Sequence, residues 1–306
     1  MKSLVPILTV LTAIIAFWAV AVIPMNAHIT ADLAQRQGME ITPEAPRDRQ
    51  AYSGTSIALK NPAIIPLTFV QTRPLLPSPH QVVGELWKTV FATRINSKRS
   101  LVYHGWVTLS ATLLGFVIGT AGGILLAVGI VYSRTMDKSV MPWAITSQTI
   151  PILALAPMII VMLGSIGIQG LLPKSVISAY LSFFPVVVGM VKGLRSPDAI
   201  QLDLLRTYSA SSSQGFWKLR LPASVPYLFA SLKIGISASL VGAIVGELPT
   251  GARAGFGARM LVGDQYGQPL VTWAALFAAA FTAAALVAIL TLIERRTLRR
   301  MGMGAA

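Results

Sequence analysis

Side chains that could act as nucleophiles, bases or metal ligands are scarce in this sequence. The chain contains no Cys, which excludes a thiolate nucleophile and a Cys-ligated metal. The three histidines, His28, His80 and His104, lack the short spacings of metal-binding motifs, and we interpret them as surface or interfacial residues. A Ser nucleophile would need a base close by, but the long apolar stretches of the chain contain no His. These residues therefore predict neither a metal site nor a catalytic centre.

Glu247 is the acid whose position most strongly suggests a function. It is the only Asp or Glu within the long apolar stretches, and an acid at membrane depth indicates a functional site by default. Hydration at the membrane surface is the alternative interpretation. Pro249, Gly251, Gly255 and Gly257 follow closely, and an irregular backbone there could line a cavity. We therefore place Glu247, Gly255 and Gly257 on a candidate translocation path.

The segment 246–251 resembles the start of a phosphate-binding loop. Such a loop requires Lys and then Ser or Thr after its second Gly, whereas Ala252 and Arg253 follow here. We therefore expect this chain to bind no cofactor and to hydrolyse no ATP by itself.

The composition predicts an integral membrane protein. Hydrophobic residues make up 54% of the 306 residues and charged residues only 12%, and a membrane span needs about 20 mostly apolar residues. The first such stretch, 4–25, is longer than the roughly 7–15 residues of a signal-peptide core. We therefore expect a retained anchor, with cleavage near residue 27 as the alternative. Six stretches qualify or nearly do: 4–25, 107–132, 140–163, 175–191, 227–248 and 270–293.

Membrane topology accounts for the formal net charge of +14 without a nucleic-acid partner. Basic residues concentrate in the loops 133–139 and 192–226 and in the tail 294–306, which the positive-inside rule places in the cytoplasm. Both termini are then cytoplasmic. In the outer segment, Pro77-Ser78-Pro79 precedes an amphipathic helix that we expect at the membrane interface. The predicted regions are an anchor (1–26), an outer segment (27–106), a membrane core (107–293) and a basic tail (294–306).

The second apolar stretch carries a ridge of small residues. Gly115, Gly119 and Gly123 recur every four residues between Ala111 and Ala127, so they share one face of a helix. Such ridges are the usual way in which membrane helices pack closely. We therefore predict a helix–helix contact along them.

The third apolar stretch contains three prolines, Pro142, Pro151 and Pro157. Each removes a helix hydrogen bond and favours a kink, and broken helices often line transport paths. We add Gln148, Pro151 and Pro157 to the candidate translocation path. A neighbouring helix that absorbs the kinks without any role in transport is the alternative.

The loop 195–226 is too long for a plain connection between spans. Ser196 would cap a first short helix that has Pro197 at its first position. A turn at 209–213 and a second helix at 214–221, closed by Pro222 and Pro226, would follow. Exposed apolar and aromatic residues on both helices indicate a protein partner, and a helix lying on lipid headgroups is the alternative.

The same loop resembles the cytoplasmic coupling loop of ATP-binding-cassette (ABC) importer permeases. In that family the loop seats a helix in a groove of the cytoplasmic ATPase. By resemblance Asp203 stands for the motif's Glu, Leu204 and Leu205 for its two Ala, and Ser209 for its Gly. Ser209 lacks glycine's freedom at positive φ. The residues that the resemblance assigns to ATPase coupling are Asp203, Leu204, Leu205, Ser209, Ala210, Phe216, Leu221 and Pro222.

Further segments resemble the branch of that family that imports sulfonates, nitrate and pyrimidines: 76–79, 183–185 and 255–257. The resemblance implies one N-terminal span plus a five-span type I permease core, in the inner membrane of a bacterium. It also implies a second, identical permease subunit, a cytoplasmic ATPase dimer that binds ATP and Mg, and a periplasmic solute-binding protein. The chain itself would be a non-catalytic transport subunit, and segment 246–251 favours a pyrimidine or nitrogen heterocycle as solute.

Two other classes of protein stay open at this point. An ion-coupled secondary transporter would use Lys233 and Glu247 as coupling groups, and a membrane-embedded hydrolase is a more remote alternative. The carrier would transport alone in response to an ion gradient, whereas the importer would need its ATPase and its binding protein.

Overall fold

The computed structural model of the chain describes residues 4–248 and 254–303. Within these residues every regular element is helical and no strand occurs. Two π-helical segments, Lys88–Ala92 and Phe216–Arg220, continue the helices before them. The α-helices are α1 (Leu4–Arg36), α2 (Pro46–Arg49), α3 (Gly54–Lys60), α4 (Ile65–Thr68), α5 (Pro79–Trp87), α6 (Leu101–Tyr132), α7 (Arg134–Ser147), α8 (Ile152–Ser165), α9 (Leu171–Leu194), α10 (Ala199–Thr207), α11 (Ser212–Gly215), α12 (Leu221–Glu247), α13 (Phe256–Gln265) and α14 (Pro269–Arg300).

The described residues contain five helical runs that are long and apolar enough to cross a membrane. The pair α7 and α8 adds a sixth if the two count together as one bent span. The protein is therefore an all-α integral membrane protein with five or six spans, as the composition predicts. The five runs are Val5–Arg36, Leu101–Tyr132, Leu171–Leu194, Ser212–Glu247 and Pro269–Arg300.

The predicted third span, 140–163, is not a single straight helix. α7 and α8 are bent by 98° relative to each other, and Pro151 between them has an extended backbone with φ −62° and ψ 118°. Proline has no N–H to continue a helix and keeps the preceding residue out of the helical region. Pro142 and Pro157 lie inside α7 and α8 instead. Of the three prolines, Pro151 is the one that breaks the chain's helical path.

The first of two compact units consists of Met1–Val102 and Arg259–Ala278. In this unit α1 runs past the end of the predicted anchor for about three further turns. Its small residues Ala27, Ala31 and Ala34 form the base of an apolar core. The anchor and the start of the outer segment are thus one continuous helix, so no helix ends at residue 26; the division there stays a prediction. The remaining core side chains are Ile41, Ile57, Ala58 and Ile64.

Asn26 ties the segment that follows α1 back onto that helix. Its side chain is fully buried, and its Nδ2 donates to the carbonyl oxygens of Thr68 (3.1 Å) and Leu76 (2.9 Å). Its Oδ1 accepts a hydrogen bond from the backbone N–H of Leu76 at 3.0 Å. One amide side chain therefore satisfies three backbone groups that have no partner in a helix ladder.

The predicted amphipathic helix begins at Pro79, as α5. Ser78 is its N-cap and forms a capping box with Gln81. Trp18, in the middle of α1, donates from its Nε1 to the carbonyl oxygen of Pro77 at 3.0 Å. The Trp18 ring also stacks on Trp273 near the start of α14, with 5.4 Å between the ring centroids. The start of α5 is thereby fixed beside an aromatic layer.

The second unit consists of Tyr103–Ala258 and Ala279–Ala306 and is built around the pair α9 and α12. Small residues let these two helices approach closely, because a Cβ on Gly193 or Gly242 would collide with the backbone of the facing helix. Two buried serines join the helices further: Ser178 donates to the carbonyl oxygen of Ser239 (2.8 Å), and Ser239 donates to that of Thr112 in α6 (2.9 Å).

The predicted ridge on α6 faces α9. A Cβ on Gly115 would collide with Ser178, and a Cβ on Gly119 would collide with Ser182 and with the backbone of Ala179. The distance between the two helices therefore depends on the absence of side chains at these positions.

Candidate functional site

The coupling segment (residues 195–222) begins with a helix whose cap differs from the predicted one. Asp198, not Ser196, is the N-cap of α10, and it forms a capping box with Gln201. The Ser196 hydroxyl is used elsewhere, because it donates to the carbonyl oxygen of Gly193 at 2.7 Å, close to the end of α9. α10 therefore starts at Ala199, two residues later than predicted.

The turn after α10 has the geometry that the family motif builds with glycine. Ser209 has φ 52°, in the left-handed region, where a residue with a Cβ is disfavoured. Its N–H donates to the carbonyl oxygen of Arg206, and the N–H of Ala210 donates to that of Leu205, both at 2.9 Å. These two bonds define a Schellman motif. Replacement of the motif's Gly by Ser therefore keeps the turn, at a cost in strain.

The predicted second short helix, 214–221, does not exist as a separate element. Ser211 caps α11, and the chain then stays helical from Ser212 to Glu247. Pro222 does not end the run, because it lies at the start of α12, directly after the π-helical segment Phe216–Arg220, where the hydrogen-bond register shifts. Pro226 lies inside α12. The coupling segment thus leads directly into a membrane helix.

The root of the coupling segment is packed and paired. Phe216 is half-buried and meets the ring of Tyr132 edge-on at 6.0 Å, and with Leu221 it contacts a buried cluster that includes Met190. Arg220 donates to the carbonyl oxygen of Leu194 at 2.9 Å, in the last turn of α9. Phe216 and Leu221 therefore hold the segment in place, and their role in ATPase coupling stays a prediction.

The outer side of α10 carries an apolar face that is largely exposed. Ile200, Leu204 and Tyr208 follow each other at intervals of four residues and are 57–82% exposed. Leu205 points the other way, and its Cδ1 lies 3.9 Å from the place that a Cβ on Gly215 would occupy. We name Ile200, Leu204 and Tyr208 the coupling face. The motif alone did not indicate Ile200, although its spacing from Leu204 could have.

The acid of the motif forms a surface ion pair within the same helix. Arg206 Nη1 lies 2.9 Å from Asp203 Oδ1, and both side chains are exposed. Exposed pairs of this kind contribute little stability. A partner protein could therefore contact Asp203 at little cost in stability.

A second polar site surrounds Glu247, which is fully buried at the end of α12. Its Oε1 accepts from the Thr108 hydroxyl at 3.0 Å, its Oε2 accepts from the backbone N–H of Gly257 at 2.9 Å, and Lys174 Nζ lies 3.6 Å from Oε1. Lys174 also donates to the carbonyl oxygen of Ala254 at 3.2 Å. The alternative of a hydrated surface carboxylate is therefore wrong. We name Thr108, Lys174, Glu247 and residues 254–257 the Glu247 cluster.

Backbone geometry explains why glycine occupies position 255. Gly255 has φ 127°, and a Cβ there would collide with the Glu247 carboxylate. Its N–H donates to His104 Nδ1 at 3.0 Å, and the N–H of Phe256 donates to the Thr108 hydroxyl at 2.8 Å. His104 is buried, so its interpretation as a surface or interfacial residue is wrong. The neighbouring predicted residues 249–251 and Arg253 lie outside the described part of the chain.

The candidate translocation residues do not form one site. Gln148 and Pro151 are exposed at the bend between α7 and α8, and Pro157 lies within α8. The Glu247 cluster joins α6, α9, α12 and the start of α13 through the hydrogen bonds just described, and none of those bonds includes Gln148, Pro151 or Pro157. Burial and full hydrogen bonding favour a positioning role for Glu247.

Lys233 has its own partner. Its Nζ lies 2.8 Å from Glu294 Oε2 in α14, a helix that continues to Arg300. Glu294 lies just beyond the predicted stretch 270–293 but within the membrane-crossing run Pro269–Arg300, as Asp32 lies within the run Val5–Arg36. Because Lys233 pairs with Glu294 and Glu247 with Lys174, the two coupling groups of the secondary-transporter alternative belong to different pairs.

Residues 119–303 match the model of a family described as binding-protein-dependent transport system inner membrane component. The chain belongs to this family. The matched region begins in α6 and includes the coupling segment, all of α14 and the Glu247 cluster apart from Thr108. Family membership decides against the two alternative hypotheses, a secondary transporter and a hydrolase. The protein is an ABC importer permease subunit for a small solute and a multi-pass inner-membrane protein.

Individual permeases resemble the chain over much of its length. A probable ABC transporter permease protein of Haemophilus influenzae is 31% identical, covering 66% of this chain and 77% of the relative. The formylaminopyrimidine transport permease protein of Halalkalibacterium halodurans is 32% identical over 60% of this chain and 68% of the relative. The riboflavin transport system permease protein of Chloroflexus aurantiacus is 28% identical and covers 86% of this chain and 98% of the relative.

Proposed function

We propose that this permease imports its solute by alternating access, driven by a separate cytoplasmic ATPase dimer that docks on the coupling segment. The observation that carries the proposal is the coupling face. Three large apolar side chains are exposed on one side of α10, while the root of the segment is fixed by Phe216 and Arg220. Exposed apolar side chains on a rigid support are typical of an interface with another protein.

The connection from α10 into α12 gives the docking a mechanical outcome. The chain from Ser212 to Glu247 is one helical run, and α12 packs closely against α9. A displacement of α10 by an ATPase would therefore shift α12 together with α9. Domain closure that is converted into a change of helix packing is a common form of switching in proteins.

We propose a nitrogen heterocycle as the solute class. The relatives from Halalkalibacterium halodurans and Chloroflexus aurantiacus are named for a formylaminopyrimidine and for riboflavin, and both of these are nitrogen heterocycles. Other relatives are named for aliphatic sulfonates and for nitrate. Delivery by a periplasmic solute-binding protein and assembly with a second, identical permease subunit are part of the proposal.

Topology completes the proposal, with both termini and the coupling segment in the cytoplasm. Because the chain has no Cys, single cysteines can be introduced at Ser213 and at Ala51, which are both exposed. A membrane-impermeant maleimide added to intact spheroplasts should label Ala51→Cys and leave Ser213→Cys unlabelled until the cells are lysed. The opposite pattern would overturn the orientation.

The coupling role is tested with Leu204→Asp, and Ser213→Asp is the matched control. Both variants add one negative charge at an exposed site of the coupling segment, but only Leu204 belongs to the coupling face. In proteoliposomes that contain the ATPase and the binding protein, Leu204→Asp should lose at least about tenfold in solute uptake and in ATPase association, a factor that corresponds to about 1.4 kcal/mol. Ser213→Asp should match wild type. Wild-type uptake by Leu204→Asp would exclude α10 as the docking element.

A further inference from the structure

The helix formed by α5 and its π-helical continuation exposes its more apolar face. Val83, Trp87 and Phe91 lie in one row at intervals of four residues and are 64–69% exposed, and the rings of Trp87 and Phe91 are 4.6 Å apart. The opposite side packs onto the protein through the small residues Val82 and Thr89, which are buried. A helix that faces water has the reverse arrangement.

The depth of this helix follows from contacts within the same compact unit. Trp18 in α1 holds the carbonyl oxygen of Pro77, immediately before α5. The Trp18 ring stacks on Trp273 and Phe277, in the first turns of the membrane-crossing run Pro269–Arg300. Tryptophans near the ends of membrane helices mark the boundary between hydrocarbon and headgroups. Trp273 lies in the second turn of that run, so α5 begins close to this boundary.

Basic residues are concentrated in this helix and in the segment that follows it. Between residues 79 and 99 the acid is Glu85 alone, whereas Lys88, Arg94 and Arg99 are among the basic residues and are exposed. Burial lowers the pKa of the Arg259 guanidinium. The nearby charge of Arg99 adds to this decrease, and the nearby charge of Glu85 opposes it. The local excess of cations favours an anionic partner at this level of the protein.

We propose that α5 and its continuation (residues 79–92) form a lipid-binding helix at the membrane interface. Val83, Trp87 and Phe91 insert into the outer edge of the acyl layer, while Lys88, Arg94 and Arg99 bind the phosphate groups of anionic phospholipids. A bilayer fits better than a protein partner because the same short helix combines an aromatic row, an anchor in the aromatic layer of the spans and a basic margin. This inference does not depend on the role of the coupling segment or on the solute.

Insertion is tested with nitroxide labels, for which the absence of native Cys is an advantage. Val83→Cys and Phe91→Cys are labelled in the full-length permease in phosphatidylethanolamine–phosphatidylglycerol vesicles, with Ala51→Cys, an exposed residue of the same unit, as the control. Labels at 83 and 91 should be more accessible to oxygen than to a water-soluble nickel chelate, and the label at 51 should show the reverse. Equal chelate access at all three positions would overturn the insertion. So would protection that arises only when the binding protein is added, because it would identify a protein as the occupant.

Headgroup recognition is tested with Lys88→Gln and Arg94→Gln, and Lys88→Arg serves as the control that keeps the charge. The selectivity of the permease for spin-labelled phosphatidylglycerol over phosphatidylcholine should fall about fivefold for each charge removed, as expected for about 1 kcal/mol per basic residue. Lys88→Arg should keep wild-type selectivity. Unchanged selectivity in both Gln variants, with the elution volume of wild type, would exclude these side chains as a phospholipid site.

Discussion

Glycine at position 209 should stabilise the coupling segment, although the substitution removes a side chain. Ser209 has φ 52°, and the left-handed region costs a residue with a Cβ about 1–2 kcal/mol. Glycine adopts this region freely. Glycine also makes the unfolded chain more flexible, and this lowers the gain in folding free energy by about 0.5–1 kcal/mol. Ser209 is exposed, so little packing is lost. The expected net effect of Ser209→Gly is a stabilisation of the turn by roughly 0.5–1 kcal/mol.

Hydrogen exchange measures this effect directly, because the two bonds of the Schellman motif protect the amides of residues 209 and 210. In Ser209→Gly these amides should exchange about two to five times more slowly than in wild type, the factor that corresponds to the expected free energy. Ser209→Ala keeps the Cβ and should leave exchange close to wild type. Thr207→Gly places the glycine in the last turn of α10 and should accelerate exchange by up to about twofold. Faster exchange in Ser209→Gly than in wild type would refute the assignment of strain to Ser209.

Three further predictions concern the packing and the ion pairs of the second unit. Glu247→Ala, which leaves buried partners unpaired, should destabilise the permease by about 3–5 kcal/mol in thermal unfolding; a loss below about 1 kcal/mol would contradict a positioning role. Gly119→Ala should lower the melting temperature because its Cβ collides with α9, whereas Gly122→Ala, whose Cβ makes ordinary contacts, should not. Exchange of Lys233 and Glu294 in the double variant Lys233→Glu/Glu294→Lys should restore stability that each single variant loses; equal losses in all three would exclude a paired interaction.

Local features of the fold follow from the sequence because their causes are local. Hydrophobic runs predict the membrane-crossing helices, and Pro77-Ser78-Pro79 predicts the start of α5 because a cap and a proline act on the next turn. The prediction fails where two residues compete for one role. Ser196 and Asp198 are both good caps, and the structure uses Asp198 because the hydroxyl of Ser196 bonds back to Gly193.

The Glu247 cluster lies beyond such reasoning. Thr108 and Glu247 are separated by 139 residues, so no spacing along the chain relates them. The sequence singles out Glu247 as an acid in an apolar stretch, but only the packing of α6, α9 and α12 brings Thr108 and Lys174 to it. Long-range polar contacts of this kind depend on how helices approach each other, which periodicity does not encode.

The helical run from Ser212 to Glu247 links two distant parts of the permease, although it contains a π-helical segment and Pro226. Its 36 residues correspond to about 54 Å at 1.5 Å per residue, so one helical run joins the coupling segment at its first turn to the Glu247 cluster at its last. A tilt of about 5° would move one end by roughly 5 Å relative to the other over that length. A tilt of this one helix would then couple opening on one side of the membrane to closing on the other, without a relay of side chains between the two sides.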